Sequence, residues 1–154
     1  MNLLSFTLAD KEYAVNIDSV QEVRRVKKIT PIPRSMDFIE GVVSLRGKIV
    51  PIISLRKKLG LPDIEHTILN RVIVTDINGH LLGVTVDSVI GVIKLDPANI
   101  ELPDDMLKKT EYLSGVGKIG KRLILIIDIE KLLSGEEKSD ITTIHKKVEV
   151  RKKE

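Results

Sequence analysis

Apolar residues in this chain fall in short runs that often alternate with polar residues. In the run 13–17, Tyr13, Val15 and Ile17 share one face, as in a half-buried β-strand. Asn78-Gly79 separates two such runs and is typical of a two-residue hairpin turn. Short, closely spaced strands favour small barrels over a parallel sheet with crossover helices. The predicted strands cover residues 3–8, 13–17, 42–55 with a turn at Gly47, 72–77, 81–86, 89–95 and 123–129.

Helical signals are few and brief. Ser54 is placed to cap a short helix over residues 55–58, and Asp128 to cap one over residues 129–133. A single helical turn is also predicted at residues 37–40. The chain is therefore predicted to be mainly β, with a few short helices.

The sequence contains an internal repeat. Residues 14–23 match residues 83–92 with five of ten identical, and residues 41–55 match residues 115–129. The alternative is chance similarity between strands rich in valine and isoleucine, but polar residues match as well. We therefore predict two homologous subdomains.

The repeats are predicted at about 1–69 and 70–135, with terminal strands able to cross between them. Each repeat would form a small five-stranded barrel, packed on the other through a shared core, with a groove at the join. Asp18 and Asp87 recur at the ends of matching strands and are interpreted as turn formers.

Composition narrows the function classes. The 154 residues are 42% apolar but only 3% aromatic, which predicts an aliphatic core and argues against reading bases by stacking. No cysteine is present, which excludes disulfides and thiolate metal sites. The N-terminus does not resemble a signal peptide, and no apolar run is long enough to span a membrane, so we expect a cytoplasmic protein without direct membrane insertion.

Net charge adds little to this picture. Much of the formal charge of +3 lies in residues 136–154, which are predicted to form a charged, flexible tail. A nucleic-acid-binding arm is the alternative interpretation of this segment, and nothing else in the sequence supports it.

No catalytic constellation is evident in the sequence. The histidines, at positions 66, 80 and 145, have no partner at metal-ligand spacing. Glycines 115, 117 and 120 match a GxGxxG spacing, but no dinucleotide-binding βαβ unit surrounds them. Asp104-Asp105 is more typical of a helix cap than of a catalytic carboxylate pair. We therefore expect no enzymatic activity, no metal and no cofactor.

Specific polar residues among apolar strands are the remaining candidates. Arg46 precedes Gly47 at the turn of an apolar hairpin, and Glu22 lies between Val20 and Val23. Arginine is enriched at interface hot spots because its guanidinium offers a planar fork of donors. An ordinary turn arginine is an equally good interpretation from physical chemistry alone.

Residues 38–56 resemble the signature of the CheW family of chemotaxis coupling proteins. They read Phe-Ile-Glu-Gly-Val-Val-Ser-Leu-Arg-Gly-Lys-Ile-Val-Pro-Ile-Ile-Ser-Leu-Arg. The resemblance extends over residues 3–135 through segments 18–23, 29–33, 83–89 and 112–133. Ser44 and Ser54 depart from the usual Asn and Asp, and we expect only local effects from them.

The resemblance implies two SH3-like five-stranded barrels, without catalysis or cofactor. It implies two partners, the cytoplasmic tip of chemoreceptors and the regulatory domain of a CheA-type histidine kinase, and assembly of otherwise monomeric chains into membrane-associated arrays. Four positions match receptor-binding ones: Val20, Glu22, Gly41 and Arg46. Three positions in the second repeat are assigned to the kinase: Gly115, Val116 and Gly117.

Two other function classes stay open on sequence grounds. A nucleic-acid-binding small barrel would bind oligonucleotides in a salt-sensitive manner. A small-ligand sensor would use the groove between the repeats.

Overall fold

The computed structural model describes residues 1–26, 28–102, 110–133 and residue 137. The predicted tail, apart from Glu137, and the Asp104-Asp105 pair lie outside these residues. The strands are β1 Asn2–Leu8, β2 Lys11–Asn16, β3 Val20–Arg25, β4 Ile39–Leu45, β5 Lys48–Ser54, β6 Arg71–Ile77, β7 His80–Val86, β8 Ser88–Lys94, β9 Ile100–Glu101, β10 Leu113–Ile119 and β11 Arg122–Ile127. The helices are α1 Leu55–Lys58 and α2 Ile129–Leu132, and two 3₁₀ turns cover Ile17–Ser19 and Pro97–Asn99.

Both predicted helix caps are present. The Ser54 side chain accepts a hydrogen bond from the Lys57 amide, and Asp128 accepts one from Lys131. The predicted helical turn at residues 37–40 is wrong, because only a turn at 37–38 precedes strand β4. The capping residues fix the start of each helix because their oxygens satisfy amides that have no partner within the first turn.

The strands form two sheets. The six-stranded sheet A has the order β8-β1-β2-β11-β10-β9, and the five-stranded sheet B has the order β3-β6-β7-β5-β4. Hairpin β1–β2 thus lies in the same sheet as strands from the second half of the chain, and hairpin β6–β7 lies in the same sheet as strands from the first half. Each sheet therefore contains strands from both halves, and backbone hydrogen bonds hold the two halves of the chain together.

The two sheets repeat the same pairing scheme. β2 pairs in parallel with β11, as β7 does with β5, and every other pairing is antiparallel. A bulge lies between Ile39 and Gly41 in β4 and at the matching place between Leu113 and Gly115 in β10. This correspondence of irregular features gives the internal sequence similarity a structural counterpart.

The core is aliphatic, as predicted, and has three parts. One buried cluster lies within sheet A around Leu3 and Ile124, and a second lies within sheet B around Val50 and Ile52. The third and largest takes residues from both sheets, including Phe6, and packs the sheets on each other. The fold is thus mainly β, with two small barrel-like units on a shared core.

Asp87 has a different role from the predicted turn former. Its carboxylate accepts hydrogen bonds from Arg56 Nε at 2.7 Å and from the Ala9 amide at 2.9 Å. Burial raises the pKa of Asp87, but the hydrogen bonds from Arg56 and Ala9 outweigh it, so the pKa lies below its usual value. Asp87 therefore connects helix α1, beside sheet B, to the β1–β2 turn of sheet A.

Asp18 makes no equivalent connection. It lies in the first 3₁₀ turn, where its backbone amide donates to the Asn16 side chain at 3.0 Å. Asn16 is therefore the residue that caps this turn, and the interpretation of Asp18 as the turn former is wrong.

Candidate functional site

Arg46 lies at the tip of the β4–β5 hairpin. Arg46 and Gly47 have φ of 51° and 78°, and Leu45 pairs with Lys48 around them. Two positive φ values in a two-residue loop define a type I′ turn, for which asparagine and glycine are the favoured residues. An arginine in this conformation is uncommon, so its side chain is a candidate for a role beyond closing the turn.

The Arg46 guanidinium is anchored yet accessible. Its Nη2 donates a hydrogen bond to Glu22 Oε2 at 3.1 Å, while 76% of the side chain is exposed. The sequence did not predict this contact, because the two residues are 24 positions apart and lie on different strands. The ion pair orients the guanidinium without burying it.

Glu22 is itself held on two sides. Arg24 Nε lies 3.3 Å from the same Oε2 atom that Arg46 contacts, at ion-pair distance but without a hydrogen bond. The Glu22 side chain is only 23% exposed. Since Glu22 lies on β3 and Arg46 directly follows β4, the pair connects the two edge strands of sheet B.

Val20 lies on β3, two residues before Glu22, at a bulge in the pairing with β6. Its side chain is half-buried and packs against the core shared by the two sheets. Val20 therefore lies on the same strand as Glu22, which binds Arg46, and both side chains are partly accessible.

Gly41 occupies a position that no other residue fits without strain. Its φ is +146°, and a Cβ atom there would lie 2.1 Å from the Thr30 carbonyl oxygen. Thr30 crosses at this point and exchanges two backbone hydrogen bonds of 2.9 Å with Val42. Gly41 is also buried, so it acts on the surface indirectly, by letting residues 28–30 pack against β4.

The predicted kinase-side residues lie on β10 in sheet A, apart from the four receptor-side residues in sheet B. Gly115 and Gly117 are buried, and a Cβ at Gly117 would lie 2.6 Å from Leu95 Cδ1. Val116 is half-buried and lies opposite Leu125 and Glu101. Of the three, only Val116 has a side chain to offer a partner.

Three exposed apolar side chains lie on the strands of sheet A and were not predicted from the sequence. Ile90 and Val92, on edge strand β8, are 52% and 63% exposed, and Leu123 on β11 is 60% exposed. A signal was available in the internal repeat, since Ile90 matches the polar Gln21 of β3. An exposed apolar residue where the matching strand is polar is typical of a contact surface.

In the part of the chain that the structure describes, no three His, Asp or Glu side chains cluster as metal ligands would. His66 contacts Glu40 Oε2 at 3.2 Å and Asn70 Oδ1 at 3.3 Å, which holds loop 61–70 against sheet B. No helix among the described residues has the length and apolar character needed to cross a membrane.

Comparison with known proteins shows which family the chain resembles. Residues 2–137 match the model of the CheW-like domain. The chain is 39% identical to the chemotaxis protein CheW of Klebsiella aerogenes, over 93% of this chain and 87% of that protein. It is 33% identical to the chemotaxis protein CheW of Thermotoga maritima, over 85% of this chain and 86% of that protein.

A solved structure has the same fold. It is that of the scaffolding protein TtCheW from Thermoanaerobacter tengcongensis, with a TM-score of 0.81, 35% identity and coverage of 88% of this chain and 95% of that one. None of these relatives supports the nucleic-acid-binding alternative by its name. The domain match, the sequence identities and the shared fold together establish that this chain belongs to the CheW family of chemotaxis adaptor proteins.

Proposed function

We propose that this protein couples transmembrane chemoreceptors to a CheA-type histidine kinase by binding both, without catalysing a reaction. The observation that carries the proposal is the exposed Arg46 guanidinium, held in place by Glu22 at the edge of sheet B. This guanidinium is a preoriented hydrogen-bond donor. It lies within residues 38–56, which resemble the signature of the CheW adaptor family. The protein would act in the cytoplasm, recruited to receptor arrays.

On the receptor side, Arg46 would bind acceptor groups at the cytoplasmic tip of the receptor. A guanidinium has five N–H donors, and one nitrogen contacts Glu22, so donors remain for a partner at this exposure. Because Glu22 and Arg24 already fix the position of the pair, little side-chain entropy would be lost on binding.

On the kinase side, the outer face of β10 and β11 would contact the regulatory domain. Val116 and Leu125 are paired on this face, and Leu123 continues it as an exposed apolar side chain. An apolar contact here would be separate from the Arg46 surface, so one molecule could hold both partners at once. That is the geometric requirement for a coupling protein.

Neither contact needs to be strong. An interface of standard size buries about 800 Å² per partner, and smaller ones are typical of transient signalling contacts. Many copies in an array would then raise the overall avidity without new contacts. We expect the isolated protein to be a monomer that assembles only with its partners.

Substitution of Arg46 by Glu tests the proposal. Lys121→Glu is the matched control, because Lys121 follows Gly120 in the equivalent β10–β11 turn. In pull-down with a receptor cytoplasmic fragment, we expect Arg46→Glu to lower retention about tenfold and Lys121→Glu to leave it unchanged. Lys121→Glu should keep the wild-type melting temperature, and Arg46→Glu should lower it by only a few degrees, since loss of an exposed ion pair costs little stability. Wild-type retention of Arg46→Glu would overturn the proposal.

A further inference from the structure

A small apolar pocket opens between β3 and β4, the two edge strands of sheet B. Its volume is about 170 Å³, which is below the usual range for drug-sized ligands and suits a single side chain. β3 is hydrogen-bonded only to β6, so the pocket lies where the barrel-like sheet is not closed. The residues around it are Arg24, Arg25, Lys28, Val43, Ser44, Leu45 and Val72.

The floor of this pocket is continuous with the core. Leu45 and Val72 belong to the buried cluster within sheet B, and Val43 packs against that cluster from its edge. An aliphatic group entering the pocket would therefore meet apolar side chains on several sides. Burial of such a group is favourable in proportion to the apolar area removed from water.

Sheet A shows what fits at the matching place. The residue that corresponds to Val43 is Gly117, and there the side chain of Leu95 lies directly over the glycine. Leu95 is almost fully buried and packs with Leu3, the counterpart of Val72. The counterpart of Leu95 in sheet B is Val26, which packs against the buried cluster there but does not line the pocket. A valine in place of the leucine thus leaves the pocket open in sheet B.

The rim of the pocket is basic. Arg24, Arg25 and Lys28 surround it, and within the described ranges the only carboxylate paired with them is Glu22, beside Arg24. Arg25 and Lys28 are exposed and have no carboxylate partner among the described residues. A basic rim around an apolar floor complements an aliphatic side chain flanked by acidic residues.

We propose that this pocket is a docking site for an acidic segment of a partner protein, which inserts one leucine-like side chain between β3 and β4. The inference goes beyond the proposed coupling function, because neither Arg46 nor Val116 lines the pocket. A nucleic acid would match the basic rim but not the apolar floor, and so it is tested as a competing ligand.

The probe is the capped pentapeptide Asp-Glu-Leu-Glu-Asp, titrated into the ¹⁵N-labelled full chain and followed by NMR. We expect saturable shifts of the backbone amides of residues 24–25 and 43–45, and weaker binding as salt rises. Replacing the peptide's leucine by alanine should weaken binding about tenfold, because the apolar contact is lost.

Two variants of the protein complete the test. Arg25→Glu should weaken binding about tenfold, whereas Lys94→Glu, at the matching end of β8, should leave it unchanged. Val43→Met, which fills the pocket from inside, should abolish the shifts at residues 43–45 while keeping a dispersed, folded spectrum. No shifts at these residues, equal binding of the alanine peptide, or equal shifts with an oligothymidylate of the same charge would overturn the proposal.

Discussion

At the scale of single residues, the Glu22–Arg46 pair has two separable roles. It holds two edge strands of sheet B together, and it presents a guanidinium to solvent. The first role depends only on opposite charges, whereas the second depends on which residue occupies the turn. Substitutions that exchange the two charges can therefore distinguish support of the sheet B edge strands from direct binding of the receptor.

The double variant Glu22→Arg with Arg46→Glu makes this distinction. It restores an ion pair between the strands with reversed orientation but places a second guanidinium beside Arg24, so we expect the melting temperature to fall by only a few degrees. If Arg46 binds the receptor directly, the double variant stays as defective in receptor pull-down as Arg46→Glu alone. Recovery of receptor binding would show instead that the pair acts only by holding the strands.

Gly41 is expected to affect binding through the fold. Gly41→Ala would place a methyl group against the Thr30 carbonyl at a strained φ, and we expect it to cost about 3 kcal/mol or more of unfolding free energy. Gly47→Ala is the control, because its added Cβ meets open space and only the turn conformation resists it, at about 1 kcal/mol. Urea denaturation measures both, and equal losses would contradict the close contact with Thr30.

At the scale of elements, the ion pair between Arg56 and Asp87 connects α1 to the start of β8 and to the β1–β2 turn. Their side chains are 13% and 21% exposed, so removing one partner leaves a charge with little access to water. We expect Arg56→Met to lower the unfolding free energy by about 1.5–3 kcal/mol at pH 7. Arg122→Met should cost less, because its ion pair with Glu12 is more open to solvent.

The unfolding free energy lost in Arg56→Met depends on pH through Asp87. Its pKa is lower in the folded chain than in the unfolded one, so its stabilising effect is complete above the ordinary carboxylate pKa of about 3.9. The effect is lost as pH falls from there towards the folded-state pKa. The difference between wild type and Arg56→Met in urea denaturation should therefore shrink between pH 5 and pH 3. A difference that stays constant over this range would contradict the role of the Asp87 carboxylate.

The elements that the sequence predicted are those whose apolar residues form a run or a regular alternation. β5, β6 and β7 are runs of valine, isoleucine and leucine, and both short helices carry a recognisable cap. β3 was missed because its half-buried face carries Glu22 and Arg24 beside Val20, while its exposed face carries the apolar Val23, so polarity does not alternate with burial. β9 has only two residues, too few for any periodicity.

The candidate site was predictable only in part. Family resemblance and the unusual turn residue pointed to Arg46, but its contact with Glu22 depends on how β3 and β4 meet across sheet B. The exchange of hairpins between the two sheets likewise depends on long-range pairing that no local pattern encodes. The same is true of Asp87, whose partners Ala9 and Arg56 are distant in the sequence.

At the scale of the whole molecule, the two barrel-like units have diverged at matching positions. Arg46 of sheet B matches Gly120 of sheet A, and the exposed Ile90 of sheet A matches the polar Gln21 of sheet B. A repeat with two identical faces would bind two copies of the same partner. Divergent faces on one shared core suit an adaptor that holds two different partners at a fixed separation.

The coupling function is tested most directly by co-purification of three components. The kinase regulatory domain is immobilised, and a receptor cytoplasmic fragment is added with or without this protein. If the protein couples the two partners, the receptor fragment is retained only when the protein is present. We further expect that Arg46→Glu loses the receptor but stays bound to the kinase domain, and that Leu123→Lys is itself no longer retained by the kinase domain. Receptor retention that is independent of the protein, or unaffected by both substitutions, would contradict the coupling function.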